Sequence, residues 1–375
     1  MQIAQFKFTN PKEAKDLKID FEPDVLFLFA SPEFPEIEAL ISTLREQLTD
    51  TLFFGCSTAG EIIGNEVADA SVIATAVSFD KTRLKLIQVD LTEEDENSAI
   101  AGSKISSLLK DDDLRHIFVL SDGLHVNGAE LVNGLRSQVN TDVSITGGLA
   151  ADGSDFENTF VIFNDTISSK RIVALGFYGS DLKVGYGSKG GWDSFGIERI
   201  VTKSKNNILY ELDGQPALEL YKSFLGDQAK NLPGSGLLFP LSMRDENNQI
   251  PVVRTILGIN EEENSLTFAG NIPQGAYVRL MKANIDRIID GAEQSALVTK
   301  EDTDHRHELA FLISCVGRRL VMKQLVEEEV EAVNDVLGPK IYTTGFYSYG
   351  EIAPFDKFSP CTLHNQTMTI TTFAE

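Results

Sequence analysis

Gly345-Phe346-Tyr347-Ser348-Tyr349-Gly350-Glu351-Ile352 is one of three glycine-rich turns that share a layout along this chain. The other two read Gly55-Cys56-Ser57-Thr58-Ala59-Gly60-Glu61-Ile62 and Gly147-Gly148-Leu149-Ala150-Ala151-Asp152-Gly153. Each follows a short apolar run closed by serine: Val25 to Ser31, Ile117 to Ser121 and Ala310 to Ser314. Such runs, without polar alternation, read as strands buried on both faces. From each serine to the first turn glycine is 24, 26 and 31 positions, room for a helix and two loops, as a parallel strand-helix-strand crossover requires. A further strand-like run follows each turn, at Ser71 to Phe79, Arg171 to Tyr178 and Thr362 to Phe373. The repetition predicts an α/β fold with mixed sheets, built from repeated strand-helix-strand units with glycine-rich turns. Glycine permits close backbone approach, so three such turns could build one pocket wall.

The chain has 375 residues, 42% of them hydrophobic, enough for two cores and an expected two α/β domains, 1–205 and 206–375. The division is placed at the polar stretch Lys203-Ser204-Lys205-Asn206-Asn207. A formal charge of -23 sets up a field that repels nucleic-acid phosphates and anionic lipid, so neither nucleic acid nor membrane is an expected partner. Three cysteines without disulfide spacing, no basic-plus-apolar leader and no membrane-length apolar run give the expectation of a cytoplasmic protein.

Several residues have side chains that could recognise a ligand. Arg318 and Arg319 open a helix expected to run to Leu337, where guanidinium forks add to the positive end of the helix dipole and could hold a carboxylate or phosphate. Structural salt bridges are the competing account, and one arginine could do each job. The acidic run Glu327, Glu328, Glu329 and Glu331 on that helix reads as a mostly outward, solvated face. Glu61 and Glu351 occupy the same place in two turns, where a carboxylate could meet a ligand amine or cap the turn itself. The second turn has no matching glutamate, so any site built from the three is expected to be asymmetric. His364, Gln366, Met368 and Ile370 share one face of an expected alternating strand, which would carry His364 inward with the apolar pair. His305 and His307 fall in a charged segment expected to be exposed. The histidines do not form a closed zinc site, and no Cys-x-x-Cys is present. Cys56 is the obvious nucleophile, but no base or pKa-lowering partner is evident, and neither a Gly-x-Ser-x-Gly elbow nor a phosphate loop occurs. The expected function is therefore not enzymatic, with a cysteine-dependent enzyme as the alternative.

The turns, Cys315-Val316-Gly317-Arg318-Arg319-Leu320 and Leu363-His364-Asn365-Gln366-Thr367-Met368-Thr369 together resemble the FIST family, sensory proteins with an N-terminal and a C-terminal FIST domain. The resemblance covers nearly the whole chain and leaves no room in it for a kinase, cyclase or methyl-accepting module. It implies a small-molecule ligand and a separate signalling partner. The ligand-binding candidates are Cys56, Ser57, Glu61, Tyr349, Glu351 and Gln366. One subgroup of similar length consists of haem-binding nitric oxide sensors that regulate a histidine kinase. By that resemblance haem would be the cofactor, His364 its metal ligand, and Arg318 or Arg319 a partner for a propionate. The rival ligand is an amino acid or related small metabolite, its carboxylate on an arginine and its amine on Glu61 or Glu351.

Overall fold

In the computed structural model, which describes residues 1–91, 97–245, 251–301 and 307–375, the three sequence repeats become three six-stranded mixed sheets of one design. The leading strands Val25–Ala30, Leu114–Ser121 and Leu309–Cys315 each pair in parallel with the strand carrying the glycine turn, Leu52–Ser57, Ser144–Leu149 and Tyr342–Ser348. On the other side each pairs antiparallel with Val72–Ser78, Arg171–Tyr178 or Met368–Ala374. Edge strands Gln2–Phe8, Arg83–Asp90 and Lys183–Lys189 complete this part of each sheet.

The last two strands of each sheet come from a different repeat. The hairpin Glu61–Ile63 and Glu66–Ala68 leaves the first unit for the third unit's sheet. The second unit's Val161–Phe163 and Thr166–Ser168 join the first sheet. Gly350–Pro354 and Cys361–His364, from the third unit, join the second sheet. The exchange is cyclic and gives the molecule an approximate threefold arrangement.

The pairing registers identify equivalent residues. Gly55, Gly147 and Gly345 lie opposite Leu28, Val119 and Leu312, and a Cβ at any of the three would sit 1.8–1.9 Å from the carbonyl oxygen of that neighbour. These glycines are thus required by the close approach of two backbones. One position earlier on the leading strands stand Phe27, Phe118 and Phe311, whose rings meet pairwise at centroid distances of 6.3, 4.6 and 5.0 Å in the shared core. The same register corrects the serine pattern: Ser31 is one position beyond Ser121 and Ser314, and its counterparts are Asp122 and Cys315.

Helices cover the outer faces of the sheets. Ile37–Gln47 packs with Leu26, Leu28 and Ala30 of the first sheet. Ser98–Leu109 and Gly128–Arg136 serve the second, and Ile285–Glu301, Val316–Met322 and Val326–Leu337 the third. The expected single helix from Arg318 to Leu337 is broken at Lys323, which takes φ 53° before a short 3-10 turn. Thr362 to Phe373 is likewise two strands in two sheets, because the chain turns at Asn365–Thr367 with Gln366 at φ 63°. His364 therefore does not share a strand face with Met368 and Ile370.

A fourth sheet is inserted in the third unit between Lys183–Lys189 and Ile285–Glu301. Its main path begins at Val252–Arg254 and ends at Ile256–Asn260, consecutive pieces of chain separated only by Thr255. Its core includes Leu209, Leu266, Phe268 and Val278. The polar stretch 203–207 is the end of the strand Arg199–Lys205 and the two-residue turn, 206–207, that leads into its antiparallel partner Ile208–Leu212. Among the described residues no helix is long and apolar enough to cross a membrane.

Candidate functional site

An open cavity of about 330 Å³ lies where elements of all three units meet. The first unit contributes Ser31, Glu33, the turn Thr58-Ala59-Gly60 and Asp69. The second contributes Asp152, Asp155 and Glu157, and the third Arg319. A larger groove of about 650 Å³, beside the edge strand at Met1–Ala4, includes none of the glycine-turn residues.

The acidic side of the cavity comes from a difference among the repeats. Gly55 to Ile62 and Gly345 to Ile352 each span seven positions between structurally equivalent residues, whereas Gly147 to Ile162 spans fifteen. The extra residues form a loop folded around the Asp152 carboxylate, which accepts the backbone N–H groups of Phe156, Glu157 and Asn158 at 3.1, 2.7 and 2.6 Å and the Tyr349 hydroxyl. The Phe156 ring stacks on Tyr349 with centroids 4.8 Å apart. Tyr349 is thus the post on which the loop is hung, and burial beside Asp152 raises its phenol pKa. Ser57 ties down the far end of the loop, accepting the Phe160 N–H at 3.1 Å.

The two arginines divide as their helix geometry requires, since consecutive helical residues face different directions. Arg318 is fully buried and donates through Nε and Nη2 to Glu329 at 2.9 and 2.6 Å, and to the carbonyls of Gly190 and Ile288 at 3.1 and 2.7 Å. Glu329 also accepts from Ser314 Oγ and Tyr347 Oη. Within the acidic run read as outward, Glu329 is therefore a buried partner of Arg318. Arg319 reaches the cavity, where Nη1 donates to the Ala59 carbonyl and Nη2 to Asp69.

Glu61 and Glu351 are fully buried, in matching cages just behind their turns. Glu61 accepts from the hydroxyls of Thr58 and Ser71, and Glu351 from those of Ser348 and Thr367. By register, Thr58 corresponds to Ser348 and Ser71 to Thr367. Burial raises Glu61 from 4.5 to about 7 and Glu351 to about 8, against the opposing effect of these hydrogen bonds. A folded-state carboxyl pKa above the unfolded value makes the folded state bind more protons. The stabilisation is then complete below about 4.5 and is lost as pH rises through the folded values. Glu351→Gln, which stays neutral, is expected to retain more of its stability than the wild type between pH 5 and 9, within the window set by that shift. Urea midpoints across this range measure it, and parallel curves for the two proteins would refute the assignment.

The remaining candidates serve the interior. Cys56 is buried in the central core, and burial pushes its thiol well above the ordinary range, the wrong direction for a nucleophile. Gln366 docks the inserted sheet, donating to the Leu237 carbonyl at 2.9 Å and Thr255 Oγ1 at 3.2 Å. Asn365 joins the same seam through Tyr349 and Thr255. His364 is buried, its Nε2 lies 2.7 Å from the Ala353 carbonyl, and Phe355 packs edge-on at 4.2 Å. Burial lowers its pKa to about 4. With Nε2 on the Ala353 carbonyl, Phe355 against the ring and the whole residue buried, His364 as placed offers no open axial position to a haem. Arg318, committed to Glu329, does not offer a propionate partner either. Among the described residues no group of three or more His, Cys, Asp or Glu is placed to hold a metal ion. His305 lies outside the described residues, and His307 is partly buried.

The sequence reading missed Glu33, Asp69, Asp152, Asp155 and Glu157 as cavity residues. The available signal was the second turn, which departs from Gly-Glu-Ile just where Asp152-Gly153-Ser154-Asp155-Phe156-Glu157 begins.

Comparison with known proteins adds family and kinship. Residues 24–215, more than half of the chain, match the FIST N domain, and residues 217–354 match the FIST C domain. The uncharacterized protein MJ1623 of Methanocaldococcus jannaschii is 25% identical over 351 residues, covering 87% of this chain. The match spans 65% of that protein's length, so the chain covers less than two thirds of this relative. Among solved structures, a cyanuric acid hydrolase from A. caulinodans aligns over 99% of this chain and 98% of its own, with TM-score 0.38 and 8% identity.

Proposed function

The chain belongs to the FIST family, whose domains are small-ligand sensors in signalling proteins, and on that premise we propose that its ligand occupies the cavity between the three units. The observation carrying this reading is the convergence of the first and second turns and Arg319 on one opening. Four acidic residues, Glu33, Asp69, Asp155 and Glu157, line the opening with Arg319, while Asp152 turns its carboxylate into its own loop. Such a wall favours a ligand bearing a cationic amine and disfavours multiply charged anions. An amino acid or closely related amine-bearing metabolite fits, with the amine on the loop acids in place of the sealed Glu61 and Glu351. The output is a ligand-dependent contact with a separate signalling protein, for which a histidine kinase is one class.

The test is thermal unfolding against a panel of amino acids and simple amines. A ligand specific to the folded state stabilises it by about 2.7 kcal/mol at one hundred times its dissociation constant. A concentration-dependent rise in Tm for a subset of the panel is expected. Unchanged unfolding at millimolar concentrations of every compound would reject the reading.

A further inference from the structure

Resting on that reading, we propose that Arg319 is the carboxylate subsite of the cavity and that Asp69 occupies it in the free protein, so that a zwitterionic amino acid binds by displacing Asp69. Arg319 is held ready from three sides. Nη1 is fixed on the Ala59 carbonyl, the guanidinium lies 5.6 Å from the Tyr347 ring centroid, and the turn at Gly60 leaves it room. A Cβ at Gly60 would come within 2.5 Å of Nη1, and its φ of +125° suits glycine. These contacts leave the Nη2 side, at the cavity, for an exchangeable partner.

Asp69 has the character of such a partner. Both its oxygens lie 2.6 Å from the same nitrogen, Nη2, whereas the strongest arginine–carboxylate pairs set two N–H donors against two oxygens. Its side chain is 69% exposed, against 22% for Arg319, and an ion pair so open to water has a weak hold. It follows the exchanged hairpin that ends at Ala68, where Ala70 turns with φ 49°. Arg318 provides the contrast: its carboxylate partner is fully buried and shared with Ser314 and Tyr347. A ligand carboxylate at Arg319 would leave the amine to the Asp152–Glu157 loop on the second unit's side of the cavity.

The experiment compares wild type with Asp69→Asn by isothermal titration, using the amino acid giving the largest thermal shift and its α-carboxamide. D69N is expected to bind the amino acid two- to five-fold more tightly, the range implied by an exposed ion pair of about 1 kcal/mol or less, and the carboxamide no more tightly. Wild-type binding that D69N leaves unchanged or weakens would overturn the proposal and leave the sensor reading standing. Acetate probes the subsite without an amine: the Arg319 Nε–H resonance of ¹⁵N-labelled protein is expected to shift at lower acetate concentration in D69N than in wild type. No shift in either protein would overturn the proposal whatever the amino acid panel shows.

Discussion

Replacing Glu329 by Ala is expected to destabilise the protein by about 3–5 kcal/mol, the cost of leaving a buried charge without its partner. Arg318 and Glu329 are both 0% exposed, and three groups converge on the Glu329 carboxylate: the guanidinium, Ser314 Oγ at 3.0 Å and Tyr347 Oη at 2.8 Å. Without the carboxylate, Arg318 keeps the Gly190 and Ile288 carbonyls, which are dipoles and cannot neutralise it. Taking both charges away should cost much less than taking one, since the pair's desolvation disappears with it. Chemical denaturation of E329A and of Arg318→Met with Glu329→Leu measures the difference. A cost below 1 kcal/mol for E329A would show that water reaches the site and screens it.

Phe118→Ala should also cost about 3–5 kcal/mol, for a different reason: a cavity at the meeting point of the three sheets. The Phe118 ring lies 6.3 Å from Phe27, 5.8 Å from Phe54 and 5.0 Å from Phe311. These neighbours come from the first and third units, so collapse into the space would require shifting whole sheets. Phe118→Leu, which removes less volume, should lie well below the alanine variant. Urea titrations order the two, and similar small losses for both would mean that the centre repacks freely.

The repeat itself was legible because each unit must bury a strand on both faces and bring two parallel backbones together at a glycine. Those demands act on neighbouring residues and leave a local trace. The parallel pairing of leading and turn strands follows from the length of the crossover, and the structure has it. The destination of each turn's hairpin was not legible. Gly60-Glu61-Ile62 and Gly350-Glu351-Ile352 record how the chain leaves one sheet, but which sheet receives it depends on residues more than a hundred positions away.

The candidate site was legible to the same degree. The turns identify the part of the molecule, and the equivalence of Glu61 and Glu351 is visible in their shared tripeptide. Their burial behind hydroxyl cages is not, because Ser71 and Thr367 stand just ahead of strands whose registers the sequence does not state. Arg318 and Arg319 are adjacent and chemically identical, and only the packing of the helix start decides which is sealed inside. In the Leu-His-Asn-Gln-Thr stretch, the sequence places His364 inward on an unbroken strand and its ligand role comes from the family resemblance, but the chain turns at Gln366. The polar side chains of this stretch fasten the inserted sheet and the third turn to the core.

The cyclic exchange of hairpins also bears on how the chain is made. On a ribosome the first sheet waits for residues 161–168, and the second waits for 350–364. Although the first unit's hairpin emerges early, the sheet that receives it is among the last to be synthesised, and its edge strand Lys183–Lys189 stays unpaired until Met368–Ala374 appears. Unpaired strand edges are templates for wrong association, so the growing chain carries that hazard for most of its synthesis. A premature stop just before Met368 would leave two strands of the third sheet, Lys183–Lys189 and Leu309–Cys315, without the neighbour that joins them.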